Sequence, residues 1–316
     1  LTGAKATTIA DGLLDATKLA DEDPYVRNGI FTTSNSTIFK GDYIVYFPYN
    51  PEFAEVDYLP AVSPTEFTQN VENKNRTAHL AGKTFGYGVA TIEKGGSMAE
   101  SFATKNLSGI VDFKVKNSQN AAVKVQKLIF VDEGEGAKGF IKQVGLDATK
   151  IAAGATGTAL YVSGTEVYEP TLVLNLVKNS AAHSELQAGA ELEYTLAALP
   201  TSLSKPVLYI MNDAGMCCRK ELAQKNILTG EGVMFEVEIK ADDKFDQALA
   251  VDTKTFIERL SEAGNGSEDA TINVLGNITL DPTVSVKLSN ASSSTGALGS
   301  LFGPNNTASL YVKNNI

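Results

Sequence analysis

Gly134, Gly136 and Gly139, in the stretch VDEGEGAKGF, have the G-x-G-x-x-G spacing. That spacing binds a dinucleotide when the glycines follow a buried strand and open a helix, whose N-terminus then holds the pyrophosphate. A strand-like stretch does precede them, VKVQKLIFV, but Lys124, Gln126 and Lys127 make it alternate as a half-exposed strand does. The stretch that follows, FIKQVGL, alternates again where a helix is required. Asp132, Glu133 and Glu135 sit where the diphosphate would go. A close pair of like charges in a partly screened site costs about 4 kcal/mol. The expected structure is therefore a β-hairpin with the glycines in its loop, where they supply positive φ without steric cost. No cofactor is expected.

Other reactive side chains are few. His79 and His183 are the only histidines, and neither has a neighbour at ligand spacing, which argues against zinc and against Ser-His-Asp chemistry. Asp21-Glu22-Asp23 and Asp242-Asp243 with Asp246 lack the D-x-D-x-D-G order of a calcium loop and read as solvated turns. Cys217 and Cys218 are adjacent, so they cannot tie distant elements together, and they read as two small buried thiols. Two carboxylates for glycoside hydrolysis can come from anywhere in a chain, so spacing alone does not decide that question. Sugar-binding platforms are usually tryptophan, and there is none. Tyr43, Tyr46, Tyr49, Tyr58 and Tyr87 could take that role, although strand tyrosines more often pack across the sheet. No catalytic, metal or cofactor residues are assigned.

The elements that would position these groups are mostly strands. Period-two patterning marks residues 43–47, 109–116, 123–131, 140–146, 170–177, 191–198, 206–211, 233–240, 271–280, 283–288 and 308–312. Alternation with one polar face predicts antiparallel, half-buried sheets. Amphipathic helical patterning is confined to residues 9–20 and 252–263, with a third, short candidate at 64–72. The predicted class is all-β with two or three short helices: two tandem antiparallel β-sandwich domains of transthyretin-like or Greek-key type. The Gly-rich stretch 152–158 suggests a boundary, giving domains 1–153 and 154–316. The second would carry a Ser/Gly-rich linker, flexible by composition, at 289–300 and a terminal strand at 308–312.

The chain's 316 residues, 43% of them hydrophobic, can bury a sizeable core. A net charge of −10 without a Lys/Arg cluster argues against nucleic acid. No apolar run is long enough for a transmembrane helix. The sequence starts at Leu1 without methionine and reads as trimmed, by processing or by a cloning boundary. Asn-x-Ser/Thr sequons at Asn35, Asn75, Asn106, Asn265, Asn277, Asn290 and Asn305 would carry glycans only in a eukaryotic secretory route.

Three stretches resemble the fimbrillin-like proteins of Bacteroidales, the subunits and relatives of type V pili. GDYIVYFPYN at 41–50 is similar to the family's strand ending in an aromatic–Pro–aromatic turn. SFATKNLSGIVDFKVKN at 101–117 is similar to the strand pair after a polar stretch, and VKVQKLIFVDEGEGAKGF to the hairpin that follows. The resemblance covers residues 41–147. It implies a two-domain β-sandwich without a catalytic centre, made as a lipoprotein precursor and displayed on the cell surface or outer membrane as part of a fimbrium. Its partners would be other pilus subunits or copies of itself, joined by strand donation, with a host protein or glycan as further partner. The tail strand Ala308–Val312 is then a candidate donor, with Ala308, Leu310 and Val312 on the inserting face. The competing expectation is that it closes its own domain. A surface glycan-binding lipoprotein is the alternative function.

Overall fold

The structure is a computed structural model. It describes residues 6–8, 31–33, 41–48, 58–93, 103–178, 181–250, 253–265, 270–275 and 308–312. The helix expected at 9–20, the acid cluster at 21–23, the strand at 283–288 and the linker at 289–300 lie outside them.

In chain order the first strands are β1 (Ala6–Thr8), β2 (Phe31–Thr33), β3 (Gly41–Phe47), β4 (Leu59–Val62), β5 (Glu66–Asn70), β6 (Gly86–Ile92) and β7 (Thr104–Asn106). Next come β8 (Gly109–Asn117), β9 (Val123–Asp132) and β10 (Phe140–Leu146), then helix α1 (Ala148–Ala152). Beyond it are β11 (Val167–Glu169), β12 (Thr171–Val177), β13 (Ser184–Leu186), β14 (Glu191–Ala198), β15 (Pro206–Asn212), β16 (Cys217–Glu221) and β17 (Gly232–Ile239). The chain continues through β18 (Ala248–Ala250), helix α2 (Thr253–Asn265), β19 (Ala270–Val274) and β20 (Ala308–Val312). The class is all-β.

The main sandwich packs the sheet ordered β16-β15-β9-β12-β5 against the sheet ordered β14-β8-β17. At its centre Phe113, Phe130 and Phe235 meet with ring centroids 5.1–5.8 Å apart. Such pairs add about 0.5–1.5 kcal/mol each beyond the area they bury. β8 alternates strictly, with Val111, Phe113 and Val115 buried and Lys114 and Lys116 on the solvent side. β9 stops alternating at Leu128, because from there its sheet is covered on both faces. Leu128 and Phe130 face the main core, while Ile129 and Val131 pack with Tyr209, Cys217, Leu249 and Leu275 behind it. A second core lies between the sheet β3-β6-β7 and the sheet β11-β10-β4.

Four expectations are corrected. Strands on both sides of the boundary at 153/154 share sheets: β5, β8 and β9 come before it and pair with β12, β14, β15 and β17. The stretch 152–158 is not a linker, since Ile151 and Leu160 flank it in the second core. The helix at 64–72 is strand β5, whose alternation buries Phe67 and Gln69. Finally, the pairs β5–β12, β8–β17, β18–β19 and β19–β20 are parallel. Period-two patterning reports which face a side chain takes, not the direction of the neighbouring strand.

Candidate functional site

The two edges of the three-stranded sheet β14-β8-β17 differ. Just before β14, Ala190 bonds to β8 through its carbonyl, which accepts from the Asn117 amide at 2.9 Å. Backbone groups alternate in direction along a strand, so those of Glu193 and Thr195 point outward. Both residues are capped. The Thr195 amide donates to Gln69 Oε1 at 3.0 Å, and Gln69 Nε2 donates to the Glu193 carbonyl at 3.4 Å. His79 Nε2 lies 2.8 Å from the Thr195 carbonyl and donates to it. Arg76 adds an ion pair to Glu193. Gln69 is buried, and burial is the main reason the His79 pKa falls below 6.5, with Lys83 acting in the same direction.

On the other side β17 is, among the described residues, the last strand of its sheet. Ile110 donates to the Glu231 carbonyl and Ser118 to the Ile239 carbonyl, so odd-numbered residues face β8. The backbone groups of Gly232, Met234, Glu236 and Glu238 therefore point away from the sheet. The side chains of Met234, Glu236 and Glu238 are exposed, and Val233, Phe235, Val237 and Ile239 turn to the core. Lys225 Nζ donates to the Met234 carbonyl at 2.6 Å, with its ammonium 5.5 Å from the Phe235 ring centroid. That placement matches the lysines that guard sheet edges elsewhere.

A groove of about 620 Å³ opens at the start of this edge. One wall is the loop preceding β17, residues 226–231, which an antiparallel bridge between Thr201 and Ile227 ties to the segment after β14. The other walls come from Lys105 and Asn106 of β7 and from residues 156–159. The lining mixes hydroxyl and amide side chains, among them Thr158, Ser202 and Asn226, with the apolar Pro200, Ile227 and Leu228, and carries one cation, Lys105, and one carboxylate, Glu231. Thr229 Oγ1 is buried there without a hydrogen-bond partner. A single carboxylate does not make the acid/base pair that glycoside hydrolysis uses.

The groups singled out in the sequence lie elsewhere. β9 and β10 do not pair, so the glycine segment is not a hairpin. It carries the chain from the six-stranded sheet to the sheet of β4 and β11. A Cβ on Gly134 would meet Ser204 Oγ at 1.6 Å, and Gly139, at φ +87°, approaches the Glu169 carbonyl. Asp132 is buried and accepts from the amides of Gly134, Ser204 and Lys205. Glu133 accepts from the Tyr209 hydroxyl and from Arg219 Nη2 at 2.6 Å. Both carboxylates thus hold the fold together.

Cys217 and Cys218 are free and buried, and burial pushes their pKa values up to about 12 and about 11. Asp243 pairs with Lys220, and among the described residues no His, Cys, Asp and Glu cluster could hold a metal ion. Tyr87 is buried in the second core and Tyr46 packs against it, stacked on Phe85, while Tyr58 lies over Gly145 and Tyr43 stays at the surface. Tyr49 lies outside the described residues. The four described tyrosines do not form one platform. β20 pairs in parallel with β19 of the same chain, which places Ala308, Leu310 and Val312 opposite Ala270, Ile272 and Val274. No helix among the described residues is long and apolar enough to cross a membrane.

Neither the edge nor the groove was foreseen. The signal was present in VDFKVK (111–116) and VMFEVE (233–238), which in register set Lys114 and Lys116 against Glu236 and Glu238.

No protein-family model matches the sequence, and no curated protein matches it. Among solved structures, the chain is similar to one from Bacteroides ovatus described as a "putative cell adhesion protein". The two are 13% identical over 68% of this chain and 72% of that one, with a TM-score of 0.43. Another, from Bacteroides fragilis and described in the same words, is 10% identical over 68% of this chain and 63% of that one, with a TM-score of 0.30.

Proposed function

We propose that the protein is a non-enzymatic, adhesin-like subunit of a bacterial cell surface that joins its partners by β-strand addition. The observation that carries this reading is the asymmetry of the short sheet. Side chains cap Glu193 and Thr195 on the β14 edge. On the β17 edge, among the described residues, Lys225 caps the Met234 carbonyl and the outward groups of Glu236 and Glu238 are left for a further strand. An incoming strand would satisfy those groups and cover the flank of the main core. The fimbrillin-like stretches within residues 41–147 agree with a fimbrial, lipid-anchored form at the outer membrane. In that form β20 is the donor, leaving its seat on β19 to insert Ala308, Leu310 and Val312 into a neighbour.

Met234→Pro tests the site. The amide of Met234 points outward, so proline there leaves the β8 ladder whole and removes a donor that an added strand needs. After limited trypsin treatment, light scattering should show wild-type oligomers and a monomeric variant of unchanged melting temperature. A wild-type protein that stays monomeric after every trimming condition would retire the polymerising version.

Glycan binding is the second reading, and the groove, with its hydroxyl and amide side chains, favours it over the tyrosines. A glycan array gives its test: signal lost on Thr229→Val supports it, and no retention of any polysaccharide ends it.

A further inference from the structure

The solvent face of the short sheet is a charge ladder. Across β14, β8 and β17 the register aligns Glu193, Lys114 and Glu236 in one row and Glu191, Lys116 and Glu238 in the next. Acid, base and acid alternate from strand to strand, and each row ends on a carboxylate at the open edge. Lys114 responds to this field: the hydrogen bond and charge of Glu191, with Glu236 behind them, raise its pKa. Opposite charges directly across a sheet attract and like charges repel, so the ladder is one basic strand short of continuing. On the opposite face Val233, Phe235, Val237 and Ile239 offer apolar neighbours.

We propose that the β17 edge takes an extended segment of another polypeptide in which basic side chains alternate with apolar ones, the basic residues seated beside Glu236 and Glu238. This rests on the strand-addition reading above and adds the chemistry of the partner at this edge, a segment other than β20, whose Ser309 and Tyr311 carry no charge. Lys225 caps only the Met234 carbonyl, two residues before the acidic rows begin. Ser118 donates to Glu238 from within the sheet and leaves its charge in place.

The test uses the full chain and two end-blocked peptides, Thr-Lys-Val-Lys-Val-Lys-Thr and Thr-Glu-Val-Glu-Val-Glu-Thr. Binding is followed at low salt by titration and by amide exchange at Met234, Glu236 and Glu238. The basic peptide should bind about tenfold more tightly, since two cross-strand pairs turn from repulsive to attractive. The pair E236Q/E238Q, which keeps the side-chain shape, should erase the preference, and E236K/E238K should reverse it. Amide protection by both peptides without a charge preference, or a preference that survives both variants, would overturn the proposal and leave strand addition standing. No protection with either peptide would overturn both.

Discussion

Glu133 lies beside the glycines and opposes a phosphate, yet its role is to hold Arg219 and Tyr209 in place. Its side chain is 6% exposed and that of Arg219 is 19% exposed, so the pair is largely out of water. Removing one partner of such a pair strands the other charge. Glu133→Ala should lower the unfolding free energy by about 3–5 kcal/mol in urea titrations. Glu221→Ala, which removes a 61% exposed partner of the same arginine, should cost about 1 kcal/mol or less. The vicinal cysteines give a second prediction at this scale. With pKa values of about 12 and about 11, both remain thiols at pH 8. Iodoacetamide should modify them slowly in the native protein and rapidly in denaturant.

Between elements, the cap on β14 has a titratable member. The His79 pKa is lower in the folded chain than its ordinary 6.5. The unfolded chain therefore binds the extra proton first as pH falls. His79 contributes stability above pH 6.5, and that contribution is lost as pH falls from there through its folded value. The decline should flatten in His79→Gln, measured by denaturant titration between about pH 7 and pH 4. Gln69→Ala should cost about 1–3 kcal/mol, because it leaves the Thr195 amide and the Glu193 carbonyl without partners. Hydrogen exchange at Thr195 should rise with it.

Strands were legible where polar and apolar residues alternate in the sequence. Glu191–Ala198 and Ala308–Val312 fall where the alternation puts them, and Gly109–Asn117 differs by one residue. The 64–72 segment misled because Phe67 and Val71 keep a helical spacing as well as a strand one. The supposed hairpin misled because adjacency in sequence says nothing about which sheet a strand joins. The site was hidden for the same reason. Lys114 and Lys116 meet Glu236 and Glu238 only through a parallel pairing of residues far apart in the chain.

At the scale of the molecule, the interleaving of strands around 153/154 forbids independent halves. A fragment of residues 1–153 would have β8 without β14 or β17, and β9 without β12 or β15. Circular dichroism of that fragment should show no cooperative melting, whereas the whole chain should melt cooperatively. A folded, cooperative fragment would refute the shared-sheet architecture.

The position of β8 also sets a timetable. Val111 must wait for Leu196 on one side and Val233 on the other before its strand is paired. While the chain is synthesised or exported from its amino end, Phe113 and Phe130 emerge long before Phe235, which completes their cluster. During that interval the nascent chain carries unpaired, oily strands, the kind of species that aggregates unless it is held. The central cluster of this protein is thus complete only when the last of its strands has arrived.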